Sequence, residues 1–191
     1  MSERPKRKRL RIHEKKINRL PAIEDEFEFK ENKGSKNARK ISTQKEAIIV
    51  ELWIDKHYQI RHQHGDDFGK REGIEEKKVL EIVSESVQHL LVFSSITRFS
   101  FLNYDYTSDG RAIRIVCQKE YDGIKTNVVI AAHFIELRKI EITIVTAIQK
   151  NDFQLSDGQF AIELLGNQSS VLRHFARGTL SELSNIYSVF I

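Results

Sequence analysis

From residue 97 to residue 149 the apolar residues recur at every second position, and turn residues break the pattern at short intervals. Alternation of that kind belongs to strands with one face buried and the other turned outward. It commits the middle of the chain to an antiparallel sheet. The first run, 97–103, carries Phe99 and Phe101 on one side, and Asp109-Gly110 marks a turn. The second run, 111–121, sets Ile113, Ile115 and Cys117 against Arg114, Val116 and Gln118, and Asp122-Gly123 marks the next turn. Runs 126–136 and 139–149 follow, joined through Leu137-Arg138. In the last run Ile140, Ile142, Ile144 and Ile148 lie opposite Glu141, Thr143, Val145 and Ala147. These four runs predict a four-stranded antiparallel meander.

A half-apolar sheet needs a layer on its buried face. Val79, Val83, Val87 and Leu90 repeat every three to four residues, with Glu75 and Glu76 at the start, which predicts a helix over 75–91. Upstream, Thr43-Gln44-Lys45-Glu46 has the form of a capping box, and Ile49, Leu52, Trp53 and Ile60 fall near a helical stripe that stops by Gly65. The run Ile48-Ile49-Val50-Glu51-Leu52-Trp53-Ile54 is equally compatible with a strand. Downstream, 153–165 reads as a hairpin around Asp157-Gly158, and 169–187 as a closing helix weakened by Gly178. The expected fold class is α+β, with two N-terminal helices packed on a four-stranded antiparallel meander and an additional C-terminal hairpin or helix.

Charge divides the chain differently. Residues 1–45 hold 15 Lys or Arg and 7 Asp or Glu, a balance of +8, whereas residues 46–191 hold 16 and 20, a balance of −4. Few large apolar residues accompany the cations, so this front part cannot offset its chain entropy by burial. The expected organisation is a disordered basic arm over 1–42 and a single α+β domain over 43–191. The cluster Lys6-Arg7-Lys8-Arg9 suits phosphate contact through counterion release. A solubilising tail and a nuclear import signal are the other readings of the same string. The single cysteine, Cys117, excludes a disulfide framework and a Cys-rich zinc module. No apolar run approaches the length of a membrane span, and the start Met1-Ser2-Glu3-Arg4-Pro5 leads into charge rather than an apolar leader. A cytoplasmic protein with no membrane partner is the expectation.

The densest string of chemistry is Lys56-His57-Tyr58-Gln59-Ile60-Arg61-His62-Gln63-His64. On a helix His57 and Arg61 would share a face. An imidazole exchanges protons near neutral pH, and a guanidinium offers a forked donor set to a phosphate gaining charge. With RNA as substrate the attacking nucleophile can be its own 2′-hydroxyl, so no metal or other cofactor is needed. By strand parity Arg114 faces the same side as Thr143, and His133 joins it, although an ordinary half-buried sheet position explains His133 as well. Cys117 falls on the apolar side of its run, as a core thiol would.

His57 followed by Arg61-His62, a polar loop with glycines, a helix and a meander resembles the small metal-independent ribonuclease toxins of the barnase–EndoU–colicin–RelE class, over about 43–149. That resemblance implies a toxin-like endoribonuclease in which His57 carries the proton and Arg61 clamps the phosphate. His62, Arg71 and Thr143 would support them, and Lys70, Arg71, Arg114 and the arm residues Lys6, Arg7, Lys8 and Arg9 would hold substrate. It also implies RNA and an antitoxin-like protein as partners. The acidic body, the long basic arm and the residues past 150 depart from the class. Two other functions remain open from sequence: a nucleic-acid or nucleoprotein-binding protein without activity, and a protein-interaction or inhibitor module. A metal-hydrolase reading of His62-x-His64-x-Asp66-Asp67 lacks the neutral nitrogen or thiolate ligands that zinc prefers.

Overall fold

The computed structural model describes residues 29–45, 48–56, 58, 74–104 and 112–187. Nine strands and one helix are found among them: β1 (Ala38–Lys45), β2 (Ile49–Asp55), α1 (Glu76–Ile96), β3 (Leu102–Asn103), β4 (Arg114–Tyr121), β5 (Ile124–Glu136), β6 (Lys139–Gln149), β7 (Gln159–Gly166), β8 (Ser169–Ala176) and β9 (Thr179–Ile186). They build one mixed sheet in the order β1-β2-β6-β5-β4-β7-β8-β9, with β3 beside the far end of β5. The expected pair of helices on a four-stranded meander is therefore wrong. One helix packs on a much wider sheet.

α1 forms where its stripe predicts. Val79, Ile82, Val83, Val87, Leu90 and Phe93 are all buried against the sheet. The helix ends at Thr97, whose backbone N–H and hydroxyl both donate to the Phe93 carbonyl, at 2.9 and 2.7 Å. Ion pairs from Arg39 to Glu76 and from Lys119 to Glu85 tie it to β1 and β4. By length and apolarity alone α1 could cross a bilayer, yet its apolar stripe is spent on this core.

The antiparallel core of the sheet, β4-β5-β6, follows the alternation closely. Asp122 and Gly123 take the left-handed backbone their turn needs (φ 52° and 77°), as does Arg138 in the next link (φ 65°). The inner face carries Ile115, Cys117, Val128, Ile130, Ile140, Ile142 and Ile144 under α1.

The first run of the expected meander fails: of 97–103 only Leu102–Asn103 forms a strand, and it lies parallel to β5 instead of antiparallel to β4, so the meander has three strands and not four. The segments outside the meander also depart from expectation. The supposed first helix is the hairpin β1–β2, because the run Ile48–Ile54 is buried on both faces. Val50, Leu52 and Ile54 turn to the core and Trp53 turns outward, a requirement that a strand meets and an amphipathic helix does not. Thr43 of the apparent capping box pairs with Glu51 across the hairpin. β2 then joins β6 in parallel, Leu52 beside Ile142. The supposed closing helix is the hairpin β8–β9, turned at Arg177 and Gly178 with φ 52° and 75°. Gly178 makes a turn there instead of weakening a helix. The turn at Asp157-Gly158 does not close a hairpin but lays β7 parallel to β4, and the hairpin comes later, between β7 and β8.

The strap ahead of β1 is tied back to the sheet. Lys30 and Ala38 exchange backbone hydrogen bonds of 2.9 Å, and the intervening strap lies across the outer face of β6. Of residues 29–42, which charge places in the arm, 38–42 form the start of β1 and 29–37 form the strap.

Candidate functional site

The outer face, away from α1, is where charged and polar side chains gather. Cross-strand register places Trp53, Thr143, Ala131 and Arg114 in one row over β2, β6, β5 and β4. The parity argument for Arg114 and Thr143 is therefore correct, but the two groups meet different surroundings. Thr143 is fully buried beneath the strap and accepts a 2.8 Å hydrogen bond from Asn32 Nδ2. Gly34 is what lets the strap come so close, since a Cβ there would stand 2.5 Å from Thr143 Oγ1. The strap, and not open space, therefore lies over Thr143 on this face. Glu141, two residues earlier, is also covered. Its burial raises the carboxyl above the ordinary 4.5, only partly countered by the Lys33 N–H that donates to it at 2.7 Å. His133, paired with Glu141 across the sheet, is 9 % exposed and sits in an ordinary sheet position.

Arg114 is open. It is exposed, and among the described residues its guanidinium has no ion-pair or hydrogen-bond partner. It lines a cavity of about 530 Å³ with Thr146, Gln154, Ser156, Asp157 and Gln159. Val129, Val145 and Phe153 supply apolar lining, and they belong to a small cluster with the buried Val116 and Ala161. Asp157 brings a carboxylate to the rim, accepting the Arg177 backbone N–H at Oδ1.

Thr146 reaches this cavity because of a bulge. The register passes from Ile130 opposite Ile144 to Val129 opposite Thr146, leaving Val145 extra. The added residue keeps both Val145 and Thr146 on the outer face and returns Ala147 to the core side. Strict alternation assigns the reverse parity beyond Val145, so Thr146 carries no signal in the sequence beyond being a threonine near the end of an apolar run. Gln154, a loop residue, and Gln159, the first residue of β7, belong to no motif and likewise carry no signal in the sequence.

The remaining expected site residues, His57, Arg61, His62, Lys70, Arg71, Lys6, Arg7, Lys8 and Arg9, lie outside the described residues. The positions beside His57 are anchored: the Lys56 N–H donates to the Asn37 carbonyl at 2.8 Å, and the buried Tyr58 hydroxyl donates to the Ile74 carbonyl at 2.9 Å. Burial holds the Tyr58 phenol protonated well past its usual range. Cys117 is a core thiol, pushed up to about 12 by burial. His89 Nδ1 and Ser170 Oγ lie 2.8 Å apart, but both residues are sealed between α1 and β8, so the pair has no access to substrate. Burial lowers the His89 pKa, in keeping with a neutral ring there. Among the described residues no three His, Cys, Asp or Glu side chains converge as a metal site would require.

Beyond the loop containing Phe153, the outer face continues into a charged cluster. Glu163 receives Lys125 Nζ at 2.6 Å and is also paired with Arg173. Burial alone would raise its carboxyl, but the two cations outweigh burial and hold it below the ordinary 4.5. A depressed folded value stabilises the fold above the unfolded value, and that stability is lost as pH falls through the folded value. Glu163→Gln should therefore cost about 1.5–3 kcal/mol at pH 7, the range for hydrogen bonds to charged groups. The difference from wild type should shrink below pH 4.5. Urea melts at pH 7 and pH 3 read both; an equal difference at the two pH values contradicts the linkage.

Comparison with protein-family models, with curated proteins and with solved structures finds no match.

Proposed function

We propose that this chain is a metal-independent, toxin-like endoribonuclease whose cleft is the outer-face cavity at Arg114. The observation that carries the reading is a guanidinium with no partner among the described residues, on a cavity of about 530 Å³ that a bulge-presented threonine also lines. That volume lies within the ordinary span of small-ligand sites, and Arg114 is suited to a phosphodiester by its forked donors. In this reading His57 takes the proton of the 2′-hydroxyl, whose oxygen attacks phosphorus. The bond to the 5′-oxygen breaks, and that oxygen leaves with a proton. Arg61 and Arg114 hold the phosphate as charge builds on it. His62, Lys70 and Arg71 support substrate, and Thr146 takes the supporting part that the family resemblance implies for Thr143. The likeness of His57-x3-Arg61-His62 to the barnase–EndoU–colicin–RelE class supports the same chemistry.

Single-stranded RNA incubated with the protein in excess chelator tests the proposal. The expected products end in 2′,3′-cyclic phosphate and 5′-hydroxyl. Arg114→Ala should weaken kcat/KM by about 10-fold or more, the loss of a charge-assisted contact. Intact RNA, or cleavage indifferent to Arg114, overturns it.

A second reading, binding without cleavage, is favoured by the +8 balance of residues 1–45. It predicts intact RNA with strong salt dependence, and a slope that falls by about 0.7 for each of Lys6, Arg7, Lys8 and Arg9 replaced by Gln.

A further inference from the structure

A second cavity, of about 670 Å³, lies on the outer face on the other side of Phe153 and Gln154, which line both. Its walls include Phe153, Phe175, Leu180, Lys125 and Arg173, and it is also lined by Gln118. Gln118 is only 7 % exposed, so its amide is held by structure rather than by water.

The hydrogen bonds decide which end of that amide is available. Asn127 is fully buried and spends its Nδ2 on the carbonyls of Lys125, Ile148 and Lys150, at 3.2, 3.3 and 2.8 Å. Its Oδ1 must then accept, and it accepts from Gln118 Nε2 at 2.7 Å. The orientation of both amides follows from this network. Gln118 Oε1 is left without a partner among the described residues, on a cavity wall, as a fixed acceptor. An acceptor on a cavity wall shared with two phenylalanines suits a flat heterocycle with an N–H on its edge. The cations Lys125 and Arg173, together one charge in excess of Glu163, suit a phosphate next to it.

We infer that this second cavity is a nucleobase subsite of single-stranded nucleic acid, with Gln118 Oε1 accepting from the amino edge of adenine or cytosine while Phe153 and Phe175 flank the ring. The inference rests on the nucleic-acid reading of the Arg114 cavity and names what that cavity's substrate carries beside the phosphate. Side chains can flank the ring only when it has left the base stack, so the subsite demands a single strand.

Binding of fluorescent 2′-fluoro penta-adenylate and penta-cytidylate to the full chain tests it, because these probes lack the attacking hydroxyl and stay whole. Deleting one base at a time should weaken binding by about 10-fold or more at one position, the scale of base–aromatic stacking, and by less than about 2-fold elsewhere. Phe175→Ala should reproduce the loss and add nothing to the sensitive abasic probe. Gln118→Met should do the same, with its cooperative urea melt retained as the check on folding. Equal losses at all five positions, wild-type affinity in both variants, or no binding at all overturns the subsite. Position-selective binding by a chain that cuts no RNA supports the subsite and overturns only the nuclease. Cleavage without a selective position does the opposite.

Discussion

Replacing His57 by Ala should lower the rate of RNA cleavage by about 10²–10⁴-fold, the usual contribution of a positioned proton carrier. Single-turnover cleavage of single-stranded RNA in chelator, with substrate saturating, isolates the chemical step from binding. Affinity for an uncleavable RNA should stay within about 2-fold of wild type, since the imidazole moves a proton rather than holding the phosphate. The wild-type rate should depend on pH near neutrality, where an imidazole titrates. His57 follows Lys56 and precedes Tyr58, both fastened by hydrogen bonds that do not use its side chain. A cooperative urea melt of the variant, compared with wild type, separates lost chemistry from lost structure. Wild-type cleavage by His57→Ala would move the proton transfer to another group and leave Arg114 without its proposed partner.

The largest effect on stability should come from Phe93→Ala. Phe93 has no exposed surface and lies in the last turns of α1, in the core between the helix and the inner face of the sheet. Truncating a buried phenylalanine removes its transfer free energy and leaves a cavity, together about 3–5 kcal/mol. The Phe93 carbonyl keeps its two bonds from Thr97, because the backbone is unchanged, so the helix end itself is preserved. In urea the midpoint should fall with the slope unaltered. Ile96→Ala, three residues on and 60 % exposed, is the matched control and should shift stability by no more than about 0.5 kcal/mol. Equal effects at the two positions would mean that α1 does not hold its stripe against the sheet.

The legible elements were those whose signal is local. α1 carries its period within a few turns, from Val79 to Leu90, and its observed end at Ile96 lies five residues past the expected one. The meander carries its period within each run, and Asp122-Gly123 is a turn wherever it occurs in such a context. The hairpin β1–β2 was obscured because a short apolar run buried on both faces has no period to read. The strands β8 and β9 were obscured because Gly178 was weighed as a flaw in a helix rather than as a turn. Of the candidate site, the facing of Arg114 was readable from alternation, while the partnership with Thr146 was not, because one extra residue at Val145 reverses the parity of everything after it on β6.

The amino-acid sequence on its own determined a central antiparallel ladder, one amphipathic helix to cover it, and a cationic front. Each depends on spacings of a few residues, where periodicity and charge act directly. Only the tertiary structure decided that β2 lies beside β6 and β7 beside β4, since parallel partners join segments far apart in the chain and nothing in either segment specifies the other. It alone decided that Asn32 and Gly34 close over Thr143 while Arg114 stays open. Two residues of one row on one face acquired opposite exposure because a distant strap packs on one and not the other, a matter of long-range contact that no local pattern encodes.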